Sequence, residues 1–439
     1  MARRNIMKLN YKVIAIGIVL ALALVAVYQK GINDGQTGNV MTLVPIAEAK
    51  ISGEQATSAA KKHSPVGIVP DRDIYFPGTE PLDPNEMRIT ALGTGQPSVR
   101  PKQAAACFLV ELGNGDKFLF DIGSGSHERI AAQKIPYDYI DKVFIGHLHV
   151  DHFGDLASFW LGGTVMNRLT PLRIWGPDGT EEKYGTKYML ERLQEAYTWD
   201  IATRAGFVDF RGGVLEINEF DHRGVNKVIY DDNGVVIRSI PAIHAIDGSV
   251  SYILEWNGFK FVYGSDTAPN SWLTKYGKDA DFVVHECFLP PTLMITKQGF
   301  TPAEALTVST IAHTSPEQFG KVMSEVKPRH AVGYHFYNDF DTQPEVLQRI
   351  RKTYDGPLSL AMDYMVWNVT KDDIKVRMAA KDEEVWPSPA LKEKQAPDQS
   401  KMVPMSDWNK SGWLEYPEVL NPIWEEVNKK YGTDLKPKL

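Results

Sequence analysis

From residue 87 onward the chain alternates between short apolar runs and polar, Gly-containing turns. Residues 87–92, 107–112 and 117–120 read as strands, and 142–145 is a further short apolar strand. Residues 181–197 carry the spacing of a helix, after which 235–240, 250–256, 259–263 and 281–284 return to strand. Residues 316–326 read as a helix, 330–334 as a strand, and 358–361 and 365–369 as further extended segments. Runs of strands with interspersed helices predict a layered α/β domain over residues 86–380. No repeat at a solenoid period is visible.

The flanks differ from this core. Arg3, Arg4, Lys8 and Lys12 precede an apolar run from Val13 to Val27. Basic residues before a run of this length predict a signal peptide or membrane anchor in residues 1–28, although a full span takes ~20 residues. The body is therefore expected to be periplasmic or otherwise extracytoplasmic, cleaved free or held at the inner membrane. Residues 29–85 have no sustained apolar period and read as a linker. Residues 381–439 are Pro-rich and polar, yet contain Trp386, Trp408, Trp413 and Trp424. Disordered tails are poor in aromatics, so this extension is expected to pack on the domain or on a partner chain; a homodimer is compatible with that.

Composition changes the picture little. The 439 residues are 43% hydrophobic and 23% charged, ordinary for a globular protein. The net charge of -7 argues against a general nucleic-acid binder, because phosphate binding needs basic surface. With only Cys107 and Cys287 and no CxxC pair, a thiolate zinc site is excluded.

The chemistry is concentrated in His147-Leu148-His149-Val150-Asp151-His152, directly after a predicted strand. Three imidazoles and a carboxylate within six residues are a metal-ligand set. Alternate residues of a strand-end loop face different sides, so His147 and His149 can serve one metal, and Asp151 and His152 another. Closing both sites needs remote ligands. His244, Asp266 and His335 each follow a predicted strand, where ligand-binding edges of α/β folds lie. Asp266 can bridge two ions with its two oxygens. His313 stands before Ser315-Pro316-Glu317, a helix-start pattern that attracts anions. His63, His127, His222 and His330 are read as surface or packing residues; His222, on the insert before His244, is the one expected nearest the site.

This motif, with His244, Asp266 and His335, resembles the metallo-β-lactamase superfamily, in the subgroup of ribonuclease Z, phosphonate-pathway phosphodiesterases and a set of arylsulfatases. Leu92-Gly93-Thr94-Gly95, Asp121-Ile122-Gly123 and His285-Glu286 are similar to that subgroup as well. The resemblance implies a four-layer αββα fold and two divalent ions, zinc first, with manganese or iron as alternatives. It assigns His147, His149 and His244 to one ion, Asp151, His152 and His335 to the other, and Asp266 to both. It makes His313 the proton donor or charge stabiliser. Asp151 is a second catalytic candidate, orienting the attacking water while ligating. The expected activity is hydrolysis of a phosphate or sulfate ester. Two alternatives stand beside it: a lactone or β-lactam hydrolase, and a non-catalytic, membrane-anchored binding protein.

One departure from ribonuclease Z is visible. Between His244 and Asp266, residues 247–263 leave room only for two strands and a turn, not for a tRNA-gripping arm. The extra length lies between His152 and His244. With the net charge and the export signal, this leads to the expectation of a small anionic ester substrate and no nucleic-acid partner.

Overall fold

The computed structural model describes residues 74–98 and 100–436. Its strands are β1 (Ile74–Tyr75), β2 (Met87–Gly93), β3 (Cys107–Leu112), β4 (Lys117–Phe120), β5 (Lys142–Phe144), β6 (Leu172–Pro177), β7 (Leu215–Phe220), β8 (Lys227–Asp232), β9 (Val235–Pro241), β10 (Val250–Trp256), β11 (Phe259–Tyr263), β12 (Phe282–Glu286), β13 (His330–Tyr334), β14 (Leu358–Leu360), β15 (Met365–Val369) and β16 (Ile374–Ala379). They form a nine-stranded sheet in the order β1-β16-β15-β2-β3-β4-β5-β6-β7 and a seven-stranded sheet in the order β14-β13-β12-β11-β10-β9-β8.

The two-residue period of each strand explains the layering. In β3, Phe108, Val110 and Leu112 enter one core cluster together with Tyr252, Leu254 and Trp256 of β10 and Phe261 and Tyr263 of β11. That cluster joins the two sheets face to face. The alternate residues Cys107 and Leu109 point the other way, into a cluster with Leu156, Phe159 and Trp160 of the helix Leu156–Val165. Ile253 and Val262, on the far side of the second sheet, pack with Phe319, Val322 and Met323 of the helix Pro316–Val326. The result is helix, sheet, sheet, helix: the αββα order expected from the resemblance.

Strands β4 to β7 are parallel neighbours, as are β11 to β14. Their carboxyl ends therefore lie along common edges, where crevices form. Strands β6, β7, β8 and β16 are not in the predicted set. β7 and β8 are sheet-edge strands with most residues partly or fully exposed, so no apolar alternation marks them.

Several boundaries need correction. Among the described residues, strand pairing is present ahead of 86: Ile74 and Tyr75 pair in parallel with Met378 and Ala379, and Tyr75 is buried. The C-terminal extension is not packed through its tryptophans. Trp386 is 87% exposed, Trp408 84% and Trp413 51%, while Trp424 is partly buried. What ties the extension down is polar. Asn167 donates to the Ser388 carbonyl, Arg211 to the Glu393 carbonyl, and the Gln395 amide to Asp209. These bonds run from the insert between His152 and His244 to residues 388–395, so within this chain the extension is held to the domain through its backbone, with its tryptophans left largely exposed. Cys107 and Cys287 are both free and buried. The apolar run at 13–27 lies outside the described residues; among the described ones no helix is long and apolar enough to cross a membrane.

Candidate metal centre

β5 ends at Phe144, and the chain enters the histidine run through Gly146. A Cβ there would sit 2.1 Å from Ser265 Oγ, so only glycine lets the loop pass. The Gly146 amide donates to Asp121 Oδ1 at 2.7 Å. His149 opens a single helical turn, Val150–Phe153, which carries Asp151 and His152 inward. His244 follows β9, Asp266 follows β11 and His335 follows β13 directly.

These strand ends bend sharply. Asp121, Ala245, Ser265 and His335 all have left-handed backbone, with φ of 57°, 49°, 52° and 72°. Non-glycine residues rarely adopt it, and such strain collects where side chains must be aimed.

All seven predicted ligands converge. His147 Nε2 lies 3.0 Å from His149 Nδ1, and His244 Nε2 lies 3.1 Å from the same atom. On the other side, Asp266 Oδ2 lies 3.3 Å from His152 Nε2 and 3.2 Å from His335 Nε2. Asp151 Oδ2 is 3.5 Å from His152 Nε2 and 3.1 Å from His335 Nε2. Asp266 Oδ2 also faces the first group, 4.0 Å from His147 Nε2 and 3.9 Å from His244 Nε2.

The donor set fits cations. Donor bonds of about 2.0–2.1 Å in a tetrahedron give edges of about 3.3 Å, close to the spacings observed. Asp151 Oδ1, Asp266 Oδ1 and His152 Nε2 are buried without a hydrogen-bond partner, a costly state unless something else satisfies them. Outer partners set the tautomers. His152 Nδ1 lies 2.6 Å from Asp121 Oδ2, a carboxylate that only accepts, so Nδ1 carries the hydrogen. His244 Nδ1 donates to the Ala312 carbonyl at 2.9 Å. In the neutral rings both Nε2 lone pairs are thereby turned to the centre.

Electrostatics divides the two groups. Burial holds His147, His149 and His244 below the usual imidazole range, so they stay neutral, as ligands must. His152 differs. Burial opposes its charge, yet Asp266, Asp121 and Asp151 overcome this and hold its pKa well above the ordinary value. Three carboxylates around one imidazole create a field that calls for a positive ion.

His313 also reaches the centre. Its ring stacks on Phe288 with centroids 4.1 Å apart, and Nδ1 lies 2.8 Å from Glu286 Oε2 and 3.8 Å from Asp266 Oδ2. It follows a π-helical turn, Val308–Ala312, and precedes the Ser315 capping box of the helix Pro316–Val326. A cavity of 440 Å³ opens onto His149, Asp151, Asp266, His313 and His335.

Two further carboxylates serve the centre, Asp121 of Asp121-Ile122-Gly123 and Glu286 of His285-Glu286, neither of which the sequence marks as a ligand. Asp121 binds the Gly146 amide, His152, the Tyr263 hydroxyl at 2.7 Å and Ser265 Oγ at 3.3 Å. Glu286 holds His313 and accepts from the Thr267 amide, next to Asp266, at 2.5 Å. Both stand at strand ends, which is the signal that could have found them. Asp121→Asn is expected to weaken metal affinity about 10–100-fold, the usual consequence of losing a carboxylate behind a ligating imidazole. Asparagine tolerates the left-handed backbone, so the fold should persist. Competition with a chromophoric chelator measures it, and unchanged affinity would remove Asp121 from this role.

The remaining histidines are placed as follows. His127 lies 3.0 Å from the Tyr137 hydroxyl and His330 2.8 Å from Ser359 Oγ; both are packing residues. His222 lies near His244, as expected, but in a second cavity. His63 is outside the described residues.

Comparison with known proteins adds the family. A family model described as anti-Pycsar protein Apyc1 matches residues 87–296. Ribonuclease Z of Mycobacterium marinum is 30% identical over 205 residues, covering 45% of this chain and 70% of that protein. Ribonuclease Z of Myxococcus xanthus is 26% identical over 316 residues, covering 63% of this chain and 96% of that protein. The solved metallo-β-lactamase fold protein YhfI from Bacillus subtilis superposes with a TM-score of 0.49 at 16% identity, covering 65% of this chain and all of that one. These relatives overturn one expectation. Proteins named as ribonucleases match 45% and 63% of this chain, so the exclusion of nucleic acid as a partner does not stand. Its physical weakness was the use of net charge. A site that engages one phosphodiester is governed by local groups, and an average over 439 residues says little about those. With 30% identity to a ribonuclease Z over more than two thirds of that protein's length, the chain belongs to the metallo-β-lactamase superfamily, in its subgroup of metal-dependent hydrolases that includes ribonuclease Z.

Proposed function

We propose that the protein hydrolyses phosphodiester bonds, with nucleotide-containing substrates and RNA among them. The observation that carries this reading is the pair of donor groups sharing Asp266, with His313 held beside them by Glu286. His147, His149 and His244 would hold one ion, Asp151, His152 and His335 the other. Such a pair, when bound, supplies Lewis acidity at the phosphoryl oxygens and lowers the pKa of a coordinated water to about 7.

The chain's own groups supply the rest. Asp151 lines the cavity, and its Oδ1 has no other partner; it is placed to accept a proton from the attacking water. Phe288, Phe300 and Val308 line the same cavity and limit the water around the reacting ester. Burial, then the charge of Asp266, holds Glu286 well above the usual carboxyl range. Burial holds His313 below the usual imidazole range. Both directions favour a protonated Glu286 whose O–H donates to His313 Nδ1. The imidazole hydrogen then sits on Nε2, free to pass to the departing oxygen, while the Glu286 proton moves to Nδ1. The pair ends as a carboxylate and a neutral imidazole, so the proton count closes.

The test is a panel on zinc-, manganese- and iron-loaded enzyme: bis(p-nitrophenyl) phosphate, a short RNA, p-nitrophenyl sulfate, an aliphatic lactone and a β-lactam. The phosphodiesters are expected to give the highest kcat/KM. Faster turnover of the sulfate, the lactone or the β-lactam would replace this reading.

A further inference from the structure

A second cavity, of 510 Å³, lies beside the metal centre, and His244, one of the predicted ligands, lines it. The segment 307–312 separates the two cavities: Val308 borders the first, and Thr307, Ile311 and Ala312 the second.

Its polar feature is His222. This side chain is 5% exposed and follows β7, where Asp178 follows the neighbouring β6. Asp178 Oδ1 accepts twice from it, from the backbone amide at 2.9 Å and from Nδ1 at 2.6 Å. The ring is thereby fixed in orientation, with its hydrogen on Nδ1. Nε2, at the opposite side of the imidazole, is buried and has no partner. A buried polar atom left unpaired is costly, and a native chain that holds it rigidly needs a reason for doing so. In the neutral ring this atom is an acceptor. The rest of the lining is mixed: Ile243, Ile246, Ile311 and Trp272 are apolar or aromatic, while Arg223, Asp247, Ser249 and Thr307 add polar groups, and the three isoleucines are exposed. An aromatic and aliphatic wall beside a rigidly oriented, unpartnered acceptor is the build of a pocket for a flat organic ring.

We propose that this cavity is a substrate subsite for a heteroaromatic ring carrying a ring N–H, and that His222 Nε2 accepts that hydrogen. The inference rests on the phosphodiester reading. A diester spanning the His244 partition sets its phosphate among the metal ligands and its base-like ring against Trp272 and Ile311. Stacking on an aromatic wall tolerates many rings; the oriented acceptor selects those with an N–H. His222 is thus a specificity residue, and Asp178 its positioning residue.

The experiment compares three diesters with one leaving group: uridine 5′-(p-nitrophenyl phosphate), its N3-methyluridine analogue, and methyl p-nitrophenyl phosphate. Wild-type enzyme is expected to favour the uridine ester over both others by about tenfold in kcat/KM, the value of one hydrogen bond at the upper end of its usual range. In His222→Ala the uridine and N3-methyluridine esters should become equivalent, because the two changes delete the same bond. His222→Gln, which keeps an acceptor, should restore part of the difference. Equal losses on all three esters in His222→Ala, or a wild-type enzyme indifferent to N3-methylation, would overturn the proposal. Calorimetric titration with uridine separates this from failure of the parent reading. If no ester is turned over, the phosphodiester reading falls. The subsite then stands if uridine binds wild-type protein about tenfold tighter than His222→Ala, and falls if the two bind alike.

Discussion

Asp266→Ala is expected to release metal and to lower phosphodiester turnover by about 10³-fold or more. The change removes metal binding and catalysis together. Asp266 Oδ2 lies within 3.3 Å of His152 Nε2 and 3.2 Å of His335 Nε2, and within 4.0 Å of the first group through His147. Its Oδ1 is buried and otherwise unpartnered. Asp266 makes close approaches to both donor groups, whereas Asp151 lies against His152 and His335 and Asp121 meets His152 from behind. Removing Asp266 also deletes the first of the charges that raise the pKa of His152, so the field favouring a cation weakens with the ligand. Metal ions are worth several kcal/mol of transition-state stabilisation, and each ~1.4 kcal/mol is tenfold in rate. Elemental analysis of purified variant and parent reads the metal, and steady-state kinetics reads the rate. A variant that keeps two ions per chain and normal turnover would contradict the shared-ligand role.

His313→Ala should separate catalysis from metal binding. The ring is 3.8 Å from Asp266 and hydrogen-bonded to Glu286, so its loss leaves all seven donor atoms in place. Positioned proton transfer contributes ~10²–10⁴-fold. The loss should approach the upper figure for alkyl leaving groups, which depart poorly without a proton, and be smaller for nitrophenolate, which needs little protonation. Metal content should match the parent. Loss of metal in this variant would make His313 a ligand, and equal losses on alkyl and nitrophenyl esters would make it a residue that places substrate without moving a proton.

Much of this site was legible in the chain. The run from His147 to His152 is local, so its ligand character needs no knowledge of the fold. His244, Asp266 and His335 were legible because each follows an apolar strand, and strand ends in a layered α/β domain converge. The helix Pro316–Val326, with its Ser315 cap, was legible for the same local reason, which brought His313 into view. The layered α/β class followed from runs of strands with interspersed helices, and its αββα order from the resemblance; the edge strands β7 and β8, mostly partly or fully exposed, were not in that set.

Other features exist only once distant segments meet. Asp121 acts through His152, 31 residues away, and through Tyr263, 142 residues away. Glu286 acts through His313, 27 residues away. The pairing of His222 with Asp178 spans 44 residues. Their place at strand ends marks these carboxylates as candidates, but the partner each one serves is set by which strand lies beside which. The extension after 380 shows the converse: its tryptophans suggested burial, but its first part is held by polar bonds to the insert. Ligand identity is a property of residue type and short spacing, so the sequence by itself determined the metal chemistry and the layered class. The atoms that orient the ligands, select the tautomers and shape the second cavity are brought together by sheet order and register, which only the tertiary structure decided.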